Sequence, residues 1–275
     1  MHLLISAASG WGKGWIAQAL TERNIRGDRY HHVVVLDTSD EFRGLCSRQH
    51  GPGCAKQWTA TATERDAFGA AEWRQLVEAH HALVIGRGVA KTDWREDVVP
   101  DVILGCRESA RDVLLLIDEA HGVAPQSGGY PKTTTELATD GRSEGGAATS
   151  SMWLTQRLAQ TDKDVTGNCT ARFLGGFEDA NSLNSISDVL PYQKGLHASG
   201  GVPVSVTNDD LLGADGEAVS VRKWTELDEN GEPQTVNSEW IYTDETGKIV
   251  RKESNDYNPR CEHVGASGKR IDVGV

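Results

Sequence analysis

The sequence has no pair of cysteines at a metal-binding spacing. Its five cysteines, Cys46, Cys54, Cys106, Cys169 and Cys261, are odd in number and scattered, and no C-x-x-C occurs. A disulfide framework and a zinc site are therefore both unexpected, and reduced thiols are expected. No run of about 18 apolar residues is present, which excludes an ordinary membrane-spanning helix. The N-terminus enters an apolar strand pattern at His2–Ser6 without the basic region, long apolar segment and small-residue cleavage site of a signal peptide. A cytoplasmic location follows as the expectation. Basic residues are in deficit, 28 Lys and Arg against 40 Asp and Glu, for a formal net charge of −12. An acidic surface ordinarily argues against nucleic-acid binding. That argument weakens in molar salt, where the Debye length is about 3 Å and acidic surfaces serve solvation. A halophilic origin and an ordinary acidic mesophilic protein are both open on composition.

What is present is enough chain for one large domain, or for a core domain with an extension: 275 residues, 38% hydrophobic and 25% charged. Strand-like apolar runs occur at 2–6, 32–37, 82–86, 113–118, 149–155 and 172–175. Helical stretches lie between them at 13–23, 72–80, 98–110, 133–144 and 182–189. Near-continuous apolar runs suit strands buried on both faces of a parallel sheet, so the alternation predicts an α/β fold. The character changes near Gly200, after which short β-type runs are broken by Gly, Asp and Glu. Tight turns are expected at Asn230-Gly231 and Thr246-Gly247. The expected division is a core over 1–200 and a β-rich, acidic extension over 201–275.

Four stretches bear on chemistry. "ISAASGWGKGW", residues 5–15, is close to the phosphate-loop pattern G-x-x-x-x-G-K-[ST], with Ala7 at the first glycine and Gly14 at the hydroxyl position. Strand, glycine-rich turn and helix in succession would present backbone N–H groups and a helix N-terminus to phosphate. Ser9, Gly10, Trp11, Gly12, Lys13, Gly14 and Trp15 are the candidate nucleotide-binding residues. Lys13 would reach the β- and γ-phosphates. Gly14 cannot hold magnesium as a hydroxyl does, though a water could fill the place. Trp11 or Trp15 could stack on adenine or pack the loop on the core. "VLLLIDEAH", 113–121, is an apolar strand ending in a Walker B pair. Asp118 is the candidate Mg²⁺ residue and Glu119 the general base. "TSSMWLTQR", 149–157, ends a strand in Gln156, placed to touch the γ-phosphate or the attacking water. "GRGVAKTDWRED", 86–97, offers Arg87, Lys91 and Arg95 beside Trp94, either as a phosphate-gripping loop or as a solvated loop of mixed charge.

With these pieces in order, the chain resembles the HerA/FtsK group of P-loop DNA-translocating ATPases, and within it the genome-packaging ATPases of viruses. The resemblance rests on the S-G-W-G-K loop, "VVVLDTSDEF" at 33–42, "LLLIDEAH", "GRSEGGAATSSMWLTQR" at 141–157 and "NCTARFLGG" at 168–176, and it spans about residues 1–190. It implies a RecA-like core, ATP and Mg²⁺ as ligands, double-stranded DNA as partner, and a homo-oligomeric ring, commonly a hexamer. Lys13, Asp118, Glu119 and Gln156 match the group's phosphate, magnesium, catalytic and sensor positions. Arg142 matches an arginine that could act as a finger on a neighbouring subunit's nucleotide, with Arg157 as rival.

Beginning at its first strand, the chain looks like the compact viral enzymes, without the extra N-terminal regions of HerA or FtsK. Capsid or membrane-vertex proteins are then further expected partners, in a host cytoplasm or on a virion. A conjugation- or extrusion-type motor, and a nucleotide-binding scaffold without turnover, are the alternatives. The extension after Gly200 could dock on a capsid vertex, seal a subunit interface or aid solubility.

Overall fold

The computed structural model describes residues 1–140, 147–187, 189–206, 208–228 and 233–263. Among the described residues ten strands form one sheet: β1 (His2–Ser6), β2 (His32–Asp37), β3 (Lys56–Ala60), β4 (Ala82–Arg87), β5 (Val113–Ile117), β6 (Thr149–Thr155), β7 (Ala171–Leu174), β8 (Lys223–Leu227), β9 (Pro233–Thr243) and β10 (Ile249–Glu253). Seven of them run parallel in the order β7-β1-β6-β5-β2-β4-β3. Helices cover both faces, as the alternating sequence predicts. The strand beginning the glycine-rich turn, β1, and the strand ending in Asp118-Glu119, β5, therefore lie on either side of β6.

The two-sided burial explains why these strands read so plainly. β1, β2, β5 and β6 are buried at every position. Successive side chains feed opposite layers: Leu3 and Ile5 join one core, Leu4 the other. One layer packs Trp73, Trp94, Val99 and Ile103 under the strands. The other packs Trp11, Ile16, Phe42 and Trp240.

Three expected strands match residue for residue, two differ by one residue at one end, and the strand expected over 172–175 is displaced by one residue, to Ala171–Leu174. The expected helix over 98–110 ends at Arg107 and follows a π-type turn over 94–98. The helix expected over 133–144 runs Lys132–Thr139, and 141–144 lie outside the described residues. One strand was not expected, β3. Only Ala60 of its five residues is buried, because it is the sheet's outer strand and carries no apolar alternation.

The segment after residue 200 adds strands to the same sheet. β9 pairs antiparallel with β7, from Arg172↔Thr243 to Leu174↔Ile241, and β10 and β8 pair with β9. Buried Glu239 on β9 fastens this region by accepting from Arg222 and Arg251. The expected turn at Thr246-Gly247 joins β9 to β10, with Gly247 at φ 82°; the turn expected at Asn230-Gly231 lies outside the described residues.

Candidate nucleotide-binding site

The turn between β1 and the first helix, α1 (Lys13–Ile25), is shaped by two glycines. Gly10 and Gly12 have φ of 72° and 78°, conformations that strain any side-chain-bearing residue. Gly12 opens α1, no side chain caps the helix there, and its first turn carries no acidic residue. The positive end of α1 therefore faces outward at the carboxyl ends of the parallel strands, where α/β sheets bind ligands.

Asp118 and Glu119 emerge from β5 at the same end of the sheet. Burial lowers the proton affinity of Lys13, and the charges of Glu119, Glu41 and Asp118 partly restore it. The lysine and the acidic pair, remote in sequence, thus stand in each other's field. Gln156, leaving β6 between them, donates from Nε2 to Glu119 Oε1 at 3.3 Å. Lys13, Asp118, Glu119 and Gln156 are brought together; Arg142 lies outside the described residues.

Glu119 sits in a strained backbone, φ 50° and ψ 50°, the left-handed region that residues other than glycine seldom occupy. Burial pushes its carboxyl up. His121, with Nδ1 3.0 Å from Oε2, outweighs that together with Lys13 and Arg157, and holds the carboxyl below its usual range. Oε2 is nevertheless buried with no aligned hydrogen-bond donor among the described residues. Glu119 is thus held towards its charged form, with His121 beside Oε2 and Gln156 on Oε1.

Asp118 is 5% exposed, and its carboxyl is pushed well above the ordinary range by burial first, then by Asp37, Glu119 and Glu41. The end of β2 supports it. Ser39 N donates to Asp118 Oδ2 at 3.2 Å, and Thr38 Oγ1 donates to its backbone oxygen at 3.1 Å. Thr38 is held in turn by Trp94 Nε1 at 3.1 Å and by Arg87 Nε on its carbonyl at 3.2 Å. Trp94 is 1% exposed, so Arg87 and Trp94 brace the site from below and are not a free phosphate-gripping surface.

Asp37 and Glu41 are site residues that the motifs did not mark, although both lie within the quoted "VVVLDTSDEF". Asp37 accepts from the backbones of Glu41 and Phe42 at 2.9 and 3.0 Å. Its carboxyl is raised to about 6, chiefly by burial. Asp37, Glu41 and Asp118 are all raised, by burial first, at the end of the sheet where Lys13 and Glu119 stand. Among the described residues no three His, Cys, Asp or Glu side chains are grouped to hold a metal unaided. A divalent cation fits here as the partner of a phosphate ligand, sharing the acids with it.

The tryptophans pack the turn. Trp11 is wholly buried against Gly176, where a Cβ would come within 2.1 Å of the indole. Its ring cannot reach a nucleotide, and only its backbone can face one. Trp15 Nε1 donates to Tyr257 O at 2.6 Å. The C-terminal strands support the turn directly. Ser238 Oγ donates to Trp11 O at 2.8 Å, Thr235 Oγ1 donates to Gly10 O, and Lys223 Nζ lies 5.9 Å from the Trp11 ring centre. No motif signalled these contacts.

A hollow of about 320 Å³ at the opposite, N-terminal ends of the strands, lined among others by Leu3, Arg23, Tyr30, Phe173 and Lys248, contains none of these groups.

No protein-family model matches the chain, and no curated protein sequence matches it. Solved structures do. The genome packaging NTPase B204 from Sulfolobus turreted icosahedral virus 2, in complex with ATP-gammaS, superposes over 94% of this chain and 97% of its own, with a TM-score of 0.53 and 11% identity. The same protein in complex with sulfate gives a TM-score of 0.53 at 11% identity, over 95% and 97% of the two chains. The fold is that of a P-loop NTPase. The likeness takes in the strands after residue 200 as well as the seven parallel ones, since nearly the whole chain is covered.

Proposed function

We propose that this chain is an ATP-hydrolysing motor that moves double-stranded DNA, and that its task is to package a viral genome. The observation that carries the reading is the meeting of Lys13 with Asp118 and Glu119 at one end of the sheet, with Gln156 hydrogen-bonded to Glu119 between them. A triphosphate suits that space. The backbone N–H groups of residues 9–15 and the start of α1 would cradle its phosphates, and Lys13 would reach the β- and γ-phosphates. Asp118 would hold Mg²⁺, which neutralises charge building on the phosphates.

Glu119, held towards its charged form by His121, Lys13 and Arg157, would take a proton from water as that water attacks the γ-phosphorus. The bond from that phosphorus to the bridging oxygen breaks, and ADP and phosphate leave. Gln156 would orient the water or Glu119 and report the γ-phosphate to the rest of the molecule. Arg142, or Arg157, would complete a neighbour's site in a ring, commonly a hexamer. Docking on a capsid or membrane vertex, inside the host cell or on the virion, belongs to the same reading.

The decisive experiment measures phosphate release with and without duplex DNA. Stimulation of several-fold by duplex DNA is expected. Turnover indifferent to DNA would redirect the reading to a motor with another cargo, and nucleotide binding without turnover would make the chain a scaffold.

A further inference from the structure

Gly14 occupies the place where a phosphate loop ordinarily carries the hydroxyl that binds magnesium, and the space beside it is filled from the far end of the chain. A Cβ built on Gly14 would lie 2.5 Å from His263 Nε2 and 3.6 Å from Glu41 Oε2. A serine or threonine cannot stand there while His263 does.

The histidine is held in place. Gly14, Gln18 and Glu22 follow one another at four-residue intervals along one stripe of α1, and the C-terminal segment lies along it. Glu22 Oε2 accepts from Arg260 N at 2.8 Å and Oε1 from Cys261 N at 3.0 Å. Gln18 Nε2 donates to Cys261 O at 2.8 Å. That bond fixes which end of the amide is which, so Gln18 Oε1 faces His263 Nδ1, 3.0 Å away. An amide oxygen only accepts; Nδ1 therefore carries the proton and Nε2 keeps its lone pair. Phe42 meets the imidazole edge-on, with ring centres 6.3 Å apart. This is how metal-binding histidines are generally set: one nitrogen bonded to an orienting acceptor, the other directed at the metal.

We infer that His263 replaces the missing loop hydroxyl as a ligand to the divalent cation of the bound nucleotide, presenting Nε2 beside Gly14 on the side of the site where Glu41 stands. The inference rests on the nucleotide-binding reading above. It accounts for Gly14 as one half of an exchange, a side chain removed from the loop and an imidazole supplied from the tail. It also predicts a metal preference, because a nitrogen ligand costs magnesium, a hard ion that takes oxygen ligands, more than it costs a divalent transition ion such as manganese.

The test uses the full chain with Mn²⁺ and a non-hydrolysable ATP analogue. Pulsed electron paramagnetic resonance should detect a directly bound ¹⁴N on the manganese. That coupling should vanish in His263→Ala and persist in His121→Ala. The preference for Mn²⁺ over Mg²⁺ in nucleotide binding should fall about tenfold in His263→Ala, the scale on which a metal's supporting ligands act. Gly14→Ser should lower the melting temperature of the parent and be tolerated once His263 is alanine. Manganese bound with the nucleotide but lacking nitrogen coupling, or coupling unchanged in His263→Ala, overturns this inference and leaves the nucleotide site standing. Failure of any nucleotide to bind overturns both.

Discussion

A carboxylate that is to take a proton from water must be held in its charged form, and the neighbours of Glu119 favour that form. His121, Lys13 and Arg157 keep it ionised against its burial, and Gln156 occupies only Oε1. Glu119→Gln keeps the shape and removes the base. Turnover should fall by about 10²–10⁴-fold, the usual contribution of a positioned acid or base, while fluorescent-nucleotide titration shows affinity within a few-fold of the parent. Retained turnover would dismiss Glu119 as the base.

Away from the site, His197 is wholly buried, donating from Nδ1 to Gly175 O and accepting at Nε2 from Tyr192, both at 2.8 Å. Burial lowers it to about 4, and the Arg251 charge adds to that against the opposing bond to Gly175. The folded protein thus resists a proton that the unfolded chain takes up near 6.5. The stability this contributes is complete above 6.5 and is lost as the pH falls towards 4, by on the order of 3 kcal/mol. Denaturant titrations from pH 7 to 4 should show a shallower decline for His197→Asn than for the parent; parallel curves would refute the assignment. His2, also lowered to about 4, adds to the decline in both.

Among elements, the contact between β7 and the nucleotide turn has the least room. The backbone after β7 passes so near Trp11 that Gly176 has no space for a methyl group, and Ala8 N donates to Gly176 O at 2.9 Å. Gly176→Ala should cost about 1–3 kcal/mol through overpacking, read as a lower melting temperature, and should weaken nucleotide binding by displacing the turn. An unchanged melting temperature would show that the turn can yield. Elements buried on both faces were legible in the sequence because their apolar runs are unbroken, as in "VLLLI" of β5. β3 was not, since an outer strand buries one residue and so writes no pattern. The pairing of β9 with β7 was not legible either: it is set by contacts such as Phe173 with Trp240 and Tyr242, between residues far apart along the chain. The same reason hid His263, whose place beside Gly14 is visible only once the tail lies along α1. Lys13, Asp118, Glu119 and Gln156 could be marked as candidates in the sequence because they follow three strongly apolar strands, Lys13 after β1, Asp118 and Glu119 after β5 and Gln156 after β6. Asp37 was not singled out, because a lone acid after a strand looks like any strand end.

For the whole molecule, the net charge of −12 bears on assembly and on DNA. Subunits of like charge repel at low salt, and screening relieves this as the Debye length shortens. If an arginine from a neighbour completes each site, turnover per chain should rise with chain concentration, and added salt should shift that rise to lower concentration. Phosphate release measured across a dilution series at several salt concentrations tests this, and constant specific activity would favour sites complete within one chain. A halophilic origin predicts, in addition, a melting temperature that climbs into molar salt.

The nucleotide turn begins at the seventh residue, yet Lys223, Thr235, Ser238 and His263 are set against it. During synthesis the turn is made long before the partners that steady it. A nascent chain therefore has a phosphate loop without its buttress.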